Sequence, residues 1–279
     1  MMSDAQSLRT ALAERFGESF QIPAQFAGID ALAQIAGHRT QRRYLPREIE
    51  PALLRLLCAC ALSAPSKSDL QQADILILRD QTKRQTIADL LPDMPWVGEA
   101  PVFLVFLANG RRFPRLFELR GRPFTNDHLD LLFNATVDAA LVLMNFVRAA
   151  ETVGLGCCPI SVIRDHAAKV SELLELPDKV IPVVGLCVGW PAEEGGISPR
   201  LPLAVTVHED RFSDADLAIR VGGYDRRRAA MRPYRNQREV ERFGRAEFYG
   251  WSEDKARQYA KPQRADFGAF VRSKGFRLD

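Results

Sequence analysis

Residues 128–153 place the strongest constraint on the fold. Leu131, Leu132, Ala135, Val137, Ala140, Leu141, Met144 and Phe146 spread apolar side chains around most of a helical cylinder, and the second half of the segment leaves little polar surface. A helix with one apolar stripe can lie on the outside of a domain, but a helix that is apolar nearly all round must be covered on all sides. In a chain of 279 residues the cover is either a sheet or a second subunit. Gly154-Leu155-Gly156 ends the segment, glycine being the residue type that closes helix C-termini. No stretch reaches the roughly 18 uninterrupted apolar residues that span a bilayer, so no membrane partner is expected.

Around this helix the pattern alternates. Apolar periodicity predicts helices over 5–16, 25–36, 47–62, 81–91 and 164–175. Short, fully apolar runs at Ile75–Leu78, Val102–Leu107, Cys157–Ile160 and Ile181–Val188 read as buried strands. Ala64-Pro65-Ser66 breaks the helix over 47–62, and Gly189-Trp190-Pro191 stops the last strand. Residues 109–127, rich in Gly, Pro, Arg and Phe, read as a long connection, and such connections are more often functional than idle. The expectation is an α+β or α/β sandwich around a central sheet.

Composition narrows the class. With 47% hydrophobic and 26% charged residues the chain is globular, not disordered. Its start, MMSDAQSLRT, lacks a basic segment followed by an apolar one, which argues against export. Cys58, Cys60, Cys157, Cys158 and Cys187 sit in apolar runs and read as buried free thiols of a reducing compartment, hence the cytoplasm. Neither their spacing nor the scattered His38, His128, His166 and His208 suits a metal. The net charge of +3 is uneven, because residues 220–279 carry 16 Lys and Arg against 8 Asp and Glu. Such a basic arm is most simply a solvated extension; the sharper readings are attraction of an anionic cofactor or a nucleic-acid patch. The small net charge and sparse aromatic–basic alternation disfavour nucleic acid.

Four clusters carry possible chemistry. Gly37-His38-Arg39-Thr40-Gln41-Arg42-Arg43 offers guanidiniums, an imidazole and a hydroxyl for an anion, or is simply an exposed basic loop. Ala64-Pro65-Ser66-Lys67-Ser68 joins small residues to hydroxyls and one positive charge, or is a plain helix-ending turn. Gly154-Leu155-Gly156 through Ile160-Ser161 is a short glycine-rich junction, without the spacing of a dinucleotide or P-loop fingerprint. Pro199-Arg200-Leu201-Pro202 aims an arginine from between two stiffening prolines. No nucleophile elbow or H-E-x-x-H pair accompanies them. A chain rich in anion donors and poor in acid–base sets points to chemistry carried by a cofactor.

Taken in order, His38-Arg39-Thr40-Gln41-Arg42, Ala64-Pro65-Ser66, Gln71, Val153-Gly154-Leu155-Gly156, Val184 through Pro191 and Pro199-Arg200-Leu201-Pro202 resemble the FMN-dependent nitroreductase family. The closer match is its NAD(P)H-linked flavin reductase branch with a C-terminal extension, and the likeness covers roughly residues 36–205. The resemblance implies a nitroreductase-like α/β sandwich with a central mixed sheet flanked by helices, assembled as an intertwined homodimer with FMN at the interface. It implies an FMN-binding domain over 1–203, N-terminal helices included, and a basic arm over 204–279. His38, Arg39, Thr40 and Arg42 would hold the FMN phosphate and ribityl chain, and Arg200 would add a second guanidinium. Pro65, Ser66 and Lys67 of the partner subunit would line the flavin. Gln71 would reach the ring edge or ribityl hydroxyls, and Pro159, Ile160 and Ser161 would lie along the ring near N5.

Three departures from the family pattern stand out: Asp69 in place of Asn, Gln72-Ala73 in place of Pro-Trp, and Ser198 in place of a Lys, a lost charge that Arg43 would offset. The implied activity is ping-pong hydride transfer from NADPH or NADH through the flavin to a nitroaromatic, a quinone or a second flavin. No side chain is expected to be catalytic, although Lys67 would tune the flavin electrostatically. Arg220, Arg226, Arg227, Arg228, Arg232, Arg235 and Arg238 would attract the extra phosphate of NADPH. The alternative is a specialised flavin oxidase, dehydrogenase or dehalogenase, with Phe113, Phe117 and Phe124 on a selective lid.

Overall fold

The computed structural model describes residues 4–23 and 27–279. In chain order the elements are α1 Asp4–Phe16, α2 Ile29–Ala36, α3 Pro51–Leu62, β1 Ala73–Leu78, α4 Gln81–Asp89, α5 Trp96–Glu99, β2 Val102–Asn109, α6 Arg112–Leu119, α7 Leu129–Thr152, β3 Gly156–Ile160, α8 Ala167–Leu173, β4 Val180–Gly189, α9 Leu203–Thr206, α10 Leu217–Met231, α11 Val240–Phe243, α12 Trp251–Gln258 and α13 Phe267–Ser273. They form two compact units. One joins the chain up to Arg39 with Gly196–Gln263; the other joins Thr40–Gly195 with Arg264–Asp279.

The second unit is the sheet. Its strands run in the order β1-β2-β4-β3, and every neighbouring pair is antiparallel. The central strands β2 and β4 are the two longest apolar runs and are buried on both faces. Strand alternation sends Leu104 and Phe106 to one face, where they pack with Leu54, Leu57, Ala61 and Phe146 of α3 and α7. Phe103 and Val105 go to the other face and meet Ile87, Ile163 and Val170. Phe106 and Phe146 touch edge to face, their centroids 5.9 Å apart. Val271 and Phe276 close a smaller cluster with Ala108, Leu131 and Ile181.

Helix α7 is covered on one side only by its own unit. Leu131, Ala135, Ala139, Val142, Phe146 and Ala150 are buried, whereas Phe133, Val137, Leu141 and Met144 form an exposed apolar stripe. By length and composition alone α7 could cross a membrane, but its buried flank is core. It ends in a Schellman turn: Leu155 N–H bonds to Ala150 O and Gly154 N–H to Glu151 O, with Gly154 at φ +84°.

The outer edge of β3 is occupied by the segment around Thr40. Thr40 pairs in parallel with Cys157, and Gln41 N–H donates to Cys157 O at 2.9 Å. Gly156 permits this approach, since a Cβ there would stand 2.4 Å from Gln41 Cγ. Among the described residues this is the parallel pairing of a sheet expected to be mixed; the four strands themselves are antiparallel.

The first unit has little apolar core. Leu8, Ala11, Ala36 and Ile197 cluster between α1 and α2. Arg15, Asp225, Asp254 and Arg257 are buried beside them or within the arm.

Several expected boundaries move. The helix expected over 25–36 begins at Ile29, and residues 25 and 26 lie outside the described residues. The helix expected from 47 begins at Pro51, because proline, lacking an N–H, suits the first helical position. The connection 109–127 contains α6, whose start is fixed by Asn109 Oδ1 accepting the N–H groups of Arg111 and Arg112. The helix expected over 164–175 opens as a 3-10 turn, Ser161–His166, before α8. All five cysteines are free, but Cys60 is exposed on α3 and Cys58 is half-buried, so only Cys157, Cys158 and Cys187 are buried thiols.

Candidate functional site

The residues assigned to a phosphorylated cofactor divide between the two units. His38, Arg39 and Arg200 belong to the first. Distant in sequence, the two segments meet at Arg15 on α1, a residue that reading the sequence for motifs passes over. The Arg15 guanidinium donates to Ala36 O from Nε (3.0 Å) and Nη2 (2.9 Å), to His38 O (2.7 Å) and to Ser198 O (3.1 Å). Arg200 N–H returns a bond to Arg15 O at 2.7 Å. One signal was available: Leu8, Ala11 and Arg15 share one face of α1, so an arginine holds a core position. The Arg200 side chain is exposed and, among the described residues, donates only to the neighbouring carbonyls of Ser198 and Pro199 at 3.4 and 3.3 Å. Bonds that long and local leave its fork available to an anion.

In the second unit Thr40 lies along β3, while Arg42 stacks over the Trp96 ring, 5.5 Å from its centroid. Burial pushes the Cys158 thiol up, and the adjacent Arg42 acts in the opposite direction. Desolvation likewise raises Cys157, Cys187 and Tyr44, which keeps all of them protonated and unreactive at neutral pH. Arg43 is paired on the surface with Glu193 at 3.6 Å. Pro159 and Ser161 are exposed, whereas the Ile160 side chain is buried in the core beneath the sheet, so Ile160 offers a ring its backbone and not its side chain.

Pro65, Ser66 and Gln71 line a groove of about 1030 Å³ between α3, β1 and α7, together with Cys58, Asp69 and Arg112. Lys67 is exposed and is not part of the groove wall. The loop that carries these residues is strained: Ser68, Asp69 and Gln71 all have positive φ, at 51°, 57° and 51°. Each such non-glycine residue costs about 1–2 kcal/mol, so something must hold the loop in place. That anchor is Asp138, 1% exposed, in the middle of α7. Its Oδ2 accepts from Ser66 Oγ (2.7 Å) and Gln72 N–H (2.9 Å), and its Oδ1 from Lys67 N–H (3.3 Å). Ser66 Oγ in turn accepts Gln71 N–H at 2.7 Å. Arg112 adds bonds to Gln71 O and Asp74. The sequence carried a signal for Asp138 too, a carboxylate alone within an otherwise apolar run from Val137 to Met144.

Guanidiniums and an imidazole for an anion in the first unit, and in the second a loop of hydroxyls and amides beside an apolar groove, are each the equipment of a protein that binds a phosphorylated planar cofactor. The donor set therefore fits FMN. The chain belongs to the nitroreductase family: the pattern of that family matches residues 35–190, and that of its C-terminal domain matches residues 198–279. It is 29% identical over 255 residues to the "FMN reductase [NAD(P)H]" of Bacillus subtilis (strain 168), covering 90% of this chain and 99% of that protein. It is 34% identical over 183 residues to the "Oxygen-insensitive NADPH nitroreductase" of Salmonella typhimurium, covering 65% of this chain and 74% of that protein. Among solved structures, NfrA2 of B. megaterium superposes with a TM-score of 0.80 at 30% identity, covering 89% of this chain and 98% of that one.

Proposed function

We infer that the protein is an FMN-dependent NAD(P)H oxidoreductase that passes electrons to a nitroaromatic, a quinone or a second flavin. The observation that supports it best is the joining of the His38 and Arg200 segments through Arg15, which ties together anion donors from the start of each of the two matched family patterns. His38, Arg39, Thr40, Arg42 and Arg200 would hold the phosphate and ribityl chain, and Pro159, Ile160 and Ser161 would run along the ring. When bound, FMN supplies the two-electron chemistry, taking hydride from a reduced nicotinamide and delivering it to an acceptor. The chain's own residues bind, orient and neutralise charge.

A second copy of the chain completes the site. The stripe Phe133, Val137, Leu141 and Met144 on α7, continued by Leu56 of α3, leaves apolar surface that a monomer in water would not favour. A mate covering it would bring its own Pro65, Ser66, Lys67 and Gln71 to the flavin. Residues 204–279 form the basic arm of this FMN-binding domain. Within the arm, Arg227, Arg228 and Arg238 are engaged by backbone carbonyls or by Asp254, and Arg220 by Asp216. Arg226, Arg232 and Arg235 are exposed and are the candidates for the extra phosphate of NADPH. The buried thiols Cys157, Cys158 and Cys187 suit the cytoplasm.

The test is direct. The purified protein should be yellow, or become so with FMN, elute as a dimer, and bleach without oxygen on adding NADPH faster than with NADH. A preparation that stays colourless after reconstitution would refute the reading, and equal efficiency with both nicotinamides would remove the arm's role. A dedicated oxidase, dehydrogenase or dehalogenase is the second reading. It is favoured by the packed aromatics Phe113, Phe117 and Phe124, beside the groove residue Arg112, with Phe117–Phe124 centroids 5.1 Å apart. Turnover across many nitro compounds and quinones would exclude it.

A further inference from the structure

We propose that α1, which lies outside both matched family patterns, is a clamp on the phosphate-binding segments and that Arg15 is the residue that positions them. The proposal rests on the reading that the anionic end of FMN is held by His38, Arg39 and Arg200.

Arg15 is 7% exposed, and burying a guanidinium is tolerable only when its donors are satisfied. Its three nitrogens all donate to backbone carbonyls, to Ala36 twice, to His38 and to Ser198. The carbonyls belong to the two segments that carry the anion donors, so one rigid fork fixes both at once. A lysine at this position, a point charge on a flexible stem, could not span them.

A second set of bonds locks the end of α1 to the same place. Arg227 donates to Glu14 O (3.1 Å), Arg15 O (3.2 Å) and Arg200 O (2.7 Å), so it ties α10 to α1 and to the Arg200 segment together. Glu18 Oε1 accepts Leu203 N–H at 3.1 Å, just past the Pro199–Pro202 turn. Gly17, at φ +71°, stops α1 under Arg227; a Cβ there would stand 2.5 Å from Arg227 Cδ. The bonds go to main chain, so their effect is to set where the His38–Arg39 and Arg200 side chains begin. A donor set fixed before the ligand arrives loses less freedom on binding.

The clamp predicts a loss specific to the phosphate, which a merely structural helix would not produce. The full-length protein and Arg15→Gln, Arg15→Lys and Arg227→Gln variants are titrated with FMN and with riboflavin, the same ring without phosphate. Arg15→Gln should weaken FMN on the order of tenfold and riboflavin less than about twofold, with Arg15→Lys between. Arg227→Gln, at a partly exposed position, should show the same selectivity at about threefold. Equal losses for both flavins, or no loss, would overturn the proposal; if the Arg15 variants do not fold, the Arg227→Gln ratio decides it. A wild-type protein that takes up neither flavin would instead refute the flavin reading. In that event amide exchange over 36–40 and 198–203 decides the clamp: faster exchange in Arg227→Gln supports it and unchanged exchange refutes it.

Discussion

The two units of this chain are held together by different physics. The sheet unit is an apolar sandwich in which Phe103, Phe106, Phe146, Leu104 and Leu186 are no more than 1% exposed. The other unit, α1, α2 and the arm as far as Gln263, buries few large apolar groups and relies on charged ones. Arg257 donates to the carbonyls of Arg238 and Gly244 and stacks near Phe243 and Tyr249. Asp254 gathers Arg238, Tyr249 and Lys255, while Asp225 accepts from Ser252 N–H. Apolar burial is non-directional and tolerant, whereas a buried polar network works only when every member is present. The sheet unit should therefore lose stability in proportion to volume removed, and the arm unit should fail at single named bonds.

The largest effect tests the first half of that contrast. Phe146→Ala removes a ring with no exposure from between α7 and β2, and should cost about 3–5 kcal/mol by urea unfolding. Asp254→Asn tests the second half. Its partners Arg238 and Lys255 are 51% and 36% exposed and can turn to water, so the expected loss is only about 2 kcal/mol. Amide exchange should accelerate across 217–263 and remain unchanged in the sheet strands. If Asp254→Asn destabilised both units equally, the contrast would collapse. The same carboxylate also sets a pH response. Burial raises its pKa, but Lys255, Tyr249 and Arg238 more than offset this and hold it below the usual value of 3.8. A lowered folded value means that the stabilisation is complete at neutral pH and is lost as pH falls from about 4 through that lower value. The arm unit should accordingly open first on acidification, and Asp254→Asn should lack that step.

The same contrast explains what the sequence disclosed. The strands and α7 were legible because apolar runs and helical spacing record burial directly, and their edges moved by only a few residues. Helix α6 was missed because its start depends on Asn109 capping Arg111 and Arg112, a local bond hidden in a segment rich in glycine and proline. The anion-site motifs were legible by residue type and order, yet their supports were not. Arg15 acts through bonds to main chain, and Asp138 through main chain and the Ser66 hydroxyl, which leave no pattern except a charged residue on an otherwise apolar face. Cys60 misled for the opposite reason, since an apolar neighbourhood in sequence became an exposed stripe on α3.

Asp138 is where the sheet unit behaves like the arm. It is a charged group buried in the apolar unit, held by donors from one loop, so its effect should be local and cooperative. Asp138→Asn turns an NH₂ group toward one of the two amides, Lys67 N–H or Gln72 N–H, that donate to the carboxylate, and Ser66→Ala removes the hydroxyl that links Asp138 to Gln71 N–H. In a double-mutant cycle read by unfolding, the two changes should couple by about 1 kcal/mol, with faster exchange confined to residues 66–72. Additive effects would mean that the strained turn at Ser68, Asp69 and Gln71 is held by something other than this carboxylate.

The smallest effect concerns a charge that nothing holds. Lys67 stands on the same loop but is exposed, and among the described residues no partner fixes its ammonium. If the loop of one copy faces the flavin of the other, Lys67→Ala should lower the FMN reduction potential, because the positive charge favours the anionic reduced ring. Solvent screening limits an exposed charge to about 0.5 kcal/mol, or roughly 10 mV for a two-electron couple. Redox titration at two salt concentrations separates the cases: a shift that shrinks with salt identifies a screened, solvated Lys67, and a larger, salt-independent one would show that assembly buries it. An unchanged midpoint would remove Lys67 from the site and leave Ser66 and Gln71, the residues tied to Asp138, as the loop's contribution.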